Sequence, residues 1–291
     1  MPELAMKLNS VASEIEKIEA LDKVGDSLGG VVKKLIPAGP LKDALSGTWL
    51  GHQLHPLLTD IPIGSFTSAT LLDFFGGRRS QPAANFLAGI GLMATVPTAA
   101  AGLADWSDTY GAPRRVGVVH AAANAVGASF YAASILARHR GNRFRAASLG
   151  LMGMGVMTLG GYLGGHLTLV RGVGVNRTMT EDPSSDWTTA IADDELAVGT
   201  PRVVDVDEVP TLLYRTDDRR YALSNRCTHA GGPLNEGEFD NAALAGPCVK
   251  CPWHQSVFSL DDGSVLHGPA SVPEPTYDVR AVDGKVEVRR R

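Results

Sequence analysis

Cysteine is scarce in this chain of 291 residues: there are three, all between Cys227 and Cys251, too few and too close for the disulfide framework of a small secreted fold. Charge is scarce as well, at 20%, and it is missing from Ser80 to Ala104, Val116 to Ala137 and Ala146 to Val170, stretches of 25, 22 and 25 residues. Each matches the roughly 20 apolar residues that cross a bilayer, which argues against a wholly soluble protein. A basic face is lacking where a nucleic-acid reader would need one. Residues 179–291 carry 11 Lys or Arg against 20 Asp or Glu, net −9, while residues 1–178 carry 16 against 11, net +5, together giving −4. No nucleic-acid partner is expected. No tandem repeat or low-complexity tract is visible, and Met1 to Lys34 is charged throughout, so no cleavable signal is expected there.

What is present divides the chain. Leu57 to Gly77 reads as a fourth span, with Asp60 near one end, Asp73 near the other and Arg78-Arg79 following. Residues 1–46 form an amphipathic N-terminal segment. Leu4, Leu8, Val11, Ile15, Ile18, Leu21, Val24, Leu28, Val31 and Leu35 recur there at three- and four-residue steps, so the segment lies against the membrane, a partner helix or its own domain. The expected divisions are this segment, a transmembrane domain over 47–178, a polar linker over 179–186 and a β domain over 187–291. Short strands are expected at 202–206, 211–215 and 285–289, with turns at Asp262-Gly263 and Asp283-Gly284. The fold class is multidomain, a four-span α-helical membrane bundle followed by an all-β domain.

The chemistry concentrates in the β domain. Cys227-Thr228-His229 is followed, after 21 intervening residues, by Cys251-Pro252-Trp253-His254. Zinc would take two thiolates and two imidazoles tetrahedrally, whereas a Rieske 2Fe–2S cluster places two Cys on one iron and two His on the other. In each loop a Cys precedes a His, so two parallel loops can offer sulfur to one iron and nitrogen to the other, which favours the cluster. Gly231-Gly232-Pro233 lets the first loop turn tightly, Ser256 follows the second, and Gly268-Pro269 lies where a third loop could cover the site. Cys248-x-x-Cys251 reads as a small strand residue before a ligand loop rather than a redox dithiol, and His267 as structural or exposed.

With CTHAGGPL, CPWHQSVF and HGPA, residues 187–291 resemble a Rieske domain of the ferredoxin type. That resemblance implies Cys227 and Cys251 on the buried iron and His229 and His254 on the outer iron. It also gives Ser256 the hydroxyl position that can bond a bridging sulfide. Rieske subunits of quinol-oxidising complexes carry an extra Cys in each loop, joined by a disulfide; here those positions hold Gly232 and Trp253. The usual Gly after the second His is Gln255, and the Tyr that donates to a ligand sulfur is Phe258. Fewer hydrogen bonds to sulfur imply a potential toward the low end of the Rieske range of about −150 to +300 mV.

The membrane half has its own histidines. His120 lies five residues after Arg115 and His166 five before Arg171, so on consecutive antiparallel helices both sit roughly 7 to 8 Å inside one face. Imidazoles at matching depth suit a haem b or quinone site, with His55 beside Pro56 as the reserve ligand. The pattern from Gly51-His52-x-x-His55-Pro56 through Asp60, Asp73, Asp105 and His120-x-x-x-Asn124 resembles a family of four-helix bacterial membrane domains that occur fused to Rieske domains and carry no established activity. The combined expectation is a membrane-anchored iron–sulfur protein carrying out one-electron transfer. It would act as a component of an oxidoreductase system, with membrane lipid and a redox partner protein bearing a basic docking face as its partners. A redox sensor and the electron donor of an oxygenase are the alternatives. A self-contained Rieske oxygenase would need a further mononuclear iron, and 37 residues after His254 leave no room for that domain. Arginines on the two sides of the membrane nearly balance; a bacterial plasma membrane with the Rieske domain facing the cytoplasm is the expected placement.

Overall fold

The computed structural model describes residues 2–183 and 185–291. Met1 and Ser184, the latter within the expected linker, lie outside the described residues, as do the side chains of residues 2–5, including Leu4 of the amphipathic pattern. The helices are α1 (Pro2–Lys17), α2 (Ala20–Leu35), α3 (Pro40–Ser46), α4 (Leu54–Phe75), α5 (Gln81–Trp106), α6 (Gly111–His139) and α7 (Arg143–Gly165). The chain divides into two compact units, residues 1–37 with 54–173 and residues 38–53 with 174–291. Helix α3 therefore groups with the strands and not with the helices on either side of it.

In the helical unit, small residues let helices approach. A Cβ on Gly127 would come within 3.1 Å of the Gly153 carbonyl and one on Gly153 within 3.0 Å of the Gly127 carbonyl, so α6 and α7 meet backbone to backbone. Phe66 and Tyr131 stack with ring centroids 4.0 Å apart, and Gly91 leaves the space that Phe66 fills. Asp73 and Arg138 form a buried two-pronged ion pair between α4 and α6. Among the described residues three helical stretches, Arg78–Trp106, Gly111–His139 and Arg143–Val170, are long and apolar enough to cross a membrane. The expected fourth span, α4, has 22 residues but does not join them; Asp60, Asp73 and its Ser and Thr residues lower its hydropathy.

The N-terminal helices dock on the bundle through charge. Asp22 and Asp26, one helical turn apart on α2, take Arg115 (2.7 and 2.5 Å) and Arg114 (2.6 Å) of α6. Glu16 of α1 accepts from Arg171 Nε at 2.6 Å and stands 2.8 Å from His166 Nε2, and the Arg171 contact holds its carboxyl below the usual range. Ala12 and Ile15 pack with Val116 and Leu163. Of the three seats open to this segment, the described contacts are with its own unit. Val24, Leu28, Val31 and Leu35 nevertheless leave an exposed apolar edge along α2.

The second unit carries β1 (Thr188–Ala192), β2 (Arg202–Val206), β3 (Val209–Arg215), β4 (Arg220–Ser224), β5 (Glu238–Asp240), β6 (Cys248–Lys250), β7 (Val257–Ser259), β8 (Val265–His267), β9 (Tyr277–Val282) and β10 (Lys285–Arg290). Among the described residues all strand pairings are antiparallel, in three sheets ordered β1-β10-β9, β2-β3-β4 and β5-β6-β7-β8. Inward residues of β3 and β4 split between two cores. Leu212 and Leu223 pack with Phe258 and Leu260 on one side; Leu213 and Ala222 pack with Val286 and Val288 on the other. Asp283 and Gly284 turn at positive φ (49° and 75°), the backbone that a two-residue hairpin needs.

Candidate metal centre

Two loops leave the first of these cores, one after β4 and one after β6, and they close in the same way. In the first, the Gly231 amide donates to the Cys227 carbonyl (2.8 Å) and the Cys227 amide to the Gly232 carbonyl (2.9 Å). In the second, the Gln255 amide donates to the Cys251 carbonyl (3.1 Å) and the Cys251 amide to the Ser256 carbonyl (2.8 Å). The fourth residue after each Cys turns back at positive φ, Gly231 at 82° and Gln255 at 66°. A glycine suits that position; Gln255 adopts it under strain, because a Cβ crowds the carbonyl in the left-handed region.

These matching turns bring the two thiols to each other and the two imidazoles to each other. Cys227 and Cys251 are buried, unbridged and hydrogen-bonded to each other. Sharing one proton drives them apart: the bond to Cys251 and burial push the Cys227 thiol up, while the same bond brings the Cys251 thiol down to about 7. The rings of His229 and His254 stand 4.9 Å apart at 86°, each partly exposed. Each residue has other interactions, but no hydrogen bond satisfies the buried Nδ1 atom of either ring. Two imidazoles on one tetrahedral ion, with bonds of about 2.1 Å, would hold their centroids about 5 Å apart. Donor set, burial and spacing thus fit a 2Fe–2S cluster with sulfur on one iron and imidazole on the other.

Neighbouring residues complete the surroundings. Ser256 is fully buried, and its Oγ accepts from the Ala270 amide at 2.9 Å, which leaves its own proton to donate. A Cβ at Gly232 would fall 3.0 Å from both the Cys251 sulfur and the Trp253 indole, so the tryptophan closes over the glycine. Cys248 is buried on β6, paired with Ser259 of β7, and burial pushes its thiol up. His267 is exposed beside Asp43 of α3 (3.1 Å), whose other oxygen accepts from the Gly268 amide (2.8 Å); Thr48 Oγ donates to the Ala270 carbonyl (3.0 Å). The third loop is therefore braced by a segment distant in sequence.

Glu274, which sequence reasoning missed, is buried with one oxygen accepting from the Thr228 amide at 2.7 Å, between Cys227 and His229. Burial holds its carboxyl well above the ordinary range. A lone Glu among prolines gives no sequence signal for this.

In the helical unit the structure pairs the histidines differently from the matching-depth expectation. His166 is turned to Glu16. The ring near His120 is His55, at 6.5 Å and 83°. Among the described residues no group of three or more His, Cys, Asp or Glu gathers as a metal site; the two cysteines and two histidines above lie in separate pairs, sulfur with sulfur and ring with ring.

Comparison with known proteins agrees with the geometry. Residues 186–278 match the Rieske [2Fe-2S] domain, and residues 51–177 match the family described as predicted membrane protein (DUF2231). The anthranilate 1,2-dioxygenase ferredoxin subunit of Burkholderia cepacia is 31% identical over 110 residues, 38% of this chain and 97% of that protein. Ferredoxin CarAc of Metapseudomonas resinovorans is 32% identical over 103 residues, 35% of this chain and 92% of the relative. The solved ferredoxin of carbazole 1,9a-dioxygenase from Nocardioides aromaticivorans IC177 is 30% identical, with a TM-score of 0.34, covering 37% of this chain and all of that one. The Rieske domain implies a 2Fe–2S cluster and electron transfer, and with a predicted membrane domain ahead of it the chain belongs to the Rieske iron–sulfur family, as a fusion to the DUF2231 family.

Proposed function

We propose that this protein is a membrane-anchored one-electron carrier whose cluster is held by Cys227 and Cys251 on one iron and by His229 and His254 on the other. The observation that carries the reading is the pair of identically closed loops, each of which offers a buried thiol and a partly exposed ring. The bound cluster supplies a reversible one-electron couple. The protein's own residues do the rest. Cys227 and Cys251, once both have lost their thiol protons, would be the sulfur ligands, the Ser256 hydroxyl would be free to donate toward a sulfide, and the rings of His229 and His254 would form the edge through which a partner is reached.

Four spans, α4 included, anchor the cluster domain, and the apolar edge of α2 lies along lipid. The domain divisions proposed are 1–46, 47–178, 179–186 and 187–291, with the net charge of −9 over 179–291 favouring a redox partner that presents a basic face. The cluster domain faces the cytoplasm of a bacterial plasma membrane, and the membrane domain holds a haem or quinone. A second reading, electron donor to an oxygenase, is favoured by the relatives, which are named as ferredoxins and dioxygenase ferredoxin subunits.

The test is the optical and EPR spectrum of the purified full-length protein, with iron and sulfide analysis. Two irons and two sulfides are expected, lost on Cys227→Ser or Cys251→Ser and kept on Cys248→Ser. A colourless protein binding one zinc sinks the assignment, and protease accessibility of the acidic domain in sealed vesicles decides its side.

A further inference from the structure

The helical unit holds two neighbouring imidazoles that each set Nδ1 against a backbone carbonyl. His55 Nδ1 is 2.9 Å from the Thr98 carbonyl of α5, and His120 Nδ1 is 2.7 Å from the Gly160 carbonyl of α7. A carbonyl only accepts, so each Nδ1 carries the proton and each Nε2 keeps its lone pair, the tautomer in which outer-shell bonding prepares a histidine for metal. Two glycines make room for the rings. A Cβ on Gly102 would come within 2.7 Å of the His55 ring and one on Gly164 within 3.0 Å of the His120 ring. Four helices thus contribute: α4 and α6 the rings, α5 and α7 the carbonyls and the clearance.

The Asn124 amide lies beside the His120 ring. Its nitrogen lies 3.4 Å from Nδ1 and 3.3 Å from Nε2 of the ring. Near-equal distances place it over the ring face and not in line with either lone pair, while the same amide donates to the His120 carbonyl at 3.0 Å. Asn124 therefore steadies the ring without using its ligand position.

Spacing then selects the kind of centre. Two imidazoles on opposite sides of one metal, with bonds of about 2.1 Å, have centroids about 6.4 Å apart, whereas a tetrahedral ion brings them to about 5 Å. The centroids of His55 and His120 are 6.5 Å apart. That separation fits a trans pair, the arrangement in which two axial ligands flank a haem, and is too wide for tetrahedral zinc. A bundle core lined by facing side chains is where such cofactors are held, and ionisable groups inside a bilayer are rarely without a task.

We infer that His55 and His120 are the two axial ligands of one b-type haem in the helical unit. The inference rests on the electron-transfer reading above for its purpose, and its test does not depend on that reading. Full-length protein, expressed with a haem precursor and titrated with haemin in detergent, is expected to bind one haem. It should give a low-spin ferric spectrum of the highly anisotropic kind that rings crossed at 83° produce. His120→Gly should lose that spectrum and regain it on addition of imidazole. His55→Ala should lose low-spin character, and His166→Ala should keep it. The 2Fe–2S signal, followed in every sample, reports folding and the Rieske reading separately.

Failure of the wild type to take up haemin while its cluster signal is intact overturns the inference, as does a low-spin haem that survives both His55→Ala and His120→Gly. Stoichiometric binding of a bare divalent metal in place of haemin overturns it as well. A variant that loses haem and cluster together is replaced by Gly102→Ala. The three atoms nearest its added carbon all belong to the His55 ring, and it should shift the haem spectrum while leaving the cluster unchanged.

Discussion

Each unit of this protein holds a pair of histidine rings at nearly a right angle, 86° for His229 and His254 and 83° for His55 and His120, yet the pairs are built for opposite ends of the imidazole. In the β unit no hydrogen bond satisfies Nδ1, and the rings stand 4.9 Å apart. In the helical unit Nδ1 faces a carbonyl and the rings stand 6.5 Å apart. What the backbone does with one nitrogen decides which nitrogen remains for a ligand, and ring spacing decides whether a tetrahedral or a trans geometry fits.

The strongest way to break the comparison is to delete rings across it. His254→Ala is expected to abolish the cluster spectrum and leave haemin binding unchanged. His120→Ala should do the reverse, and a variant that erased both centres would show that the pairs are not independent. Next in size is pH. The rings of His229 and His254 are partly exposed, and an oxidised, more positive iron favours loss of their remaining protons. The cluster potential should therefore fall as pH rises, by about 59 mV per unit where one proton accompanies one electron. A potential flat from neutral to strongly alkaline pH would show that these rings are buried or are not ligands.

Glu274 sharpens the contrast on the protein side. Its folded carboxyl titrates above the ordinary value because it is buried, so the folded chain holds a proton that the unfolded chain releases. Stability from this group is then full below the unfolded value near 4.5 and declines as pH climbs through the raised one, by at most about 1.4 kcal/mol per pH unit. Glu274→Gln keeps an acceptor for the Thr228 amide and should flatten that decline, read as loss of cluster absorbance on heating at several pH values. The smallest effects separate the two loops. Gly231→Ala should destabilise the β unit by about 1 to 2 kcal/mol and Gln255→Gly should stabilise it by about 0.5 to 1 kcal/mol, since both positions turn at positive φ and one already has its glycine. Shifts of opposite sign in chemical denaturation would confirm that the two turns are equivalent; no gain at Gln255 would mean that its side chain is held by something more than the turn.

Much of this was legible in the sequence because the determinants are local. Cys-Thr-His and Cys-Pro-Trp-His each lie within one turn, and strand β2 falls at 202–206, where alternating residues foretell it. Uncharged stretches likewise mark the three apolar helices directly. What stayed hidden depends on rotation and on distance along the chain. Equal depth paired His120 with His166, but depth along a helix says nothing about its facing, and the acidic Glu16 some 150 residues earlier draws His166 toward α1. The brace of Asp43 on Gly268 and the burial of Glu274 behind Thr228 also join segments that no periodicity links.

The contact of Trp253 with Gly232 has a consequence for where this protein can mature. Ring against backbone is what bridges the two cluster loops, and all three cysteines are free thiols. Glutathione has no crosslink to open here, and no oxidising enzyme is needed to install one, so loop closure does not require an oxidising compartment. Iron and sulfide can be loaded in a reducing compartment while packing of Trp253 on Gly232 helps keep the loops together.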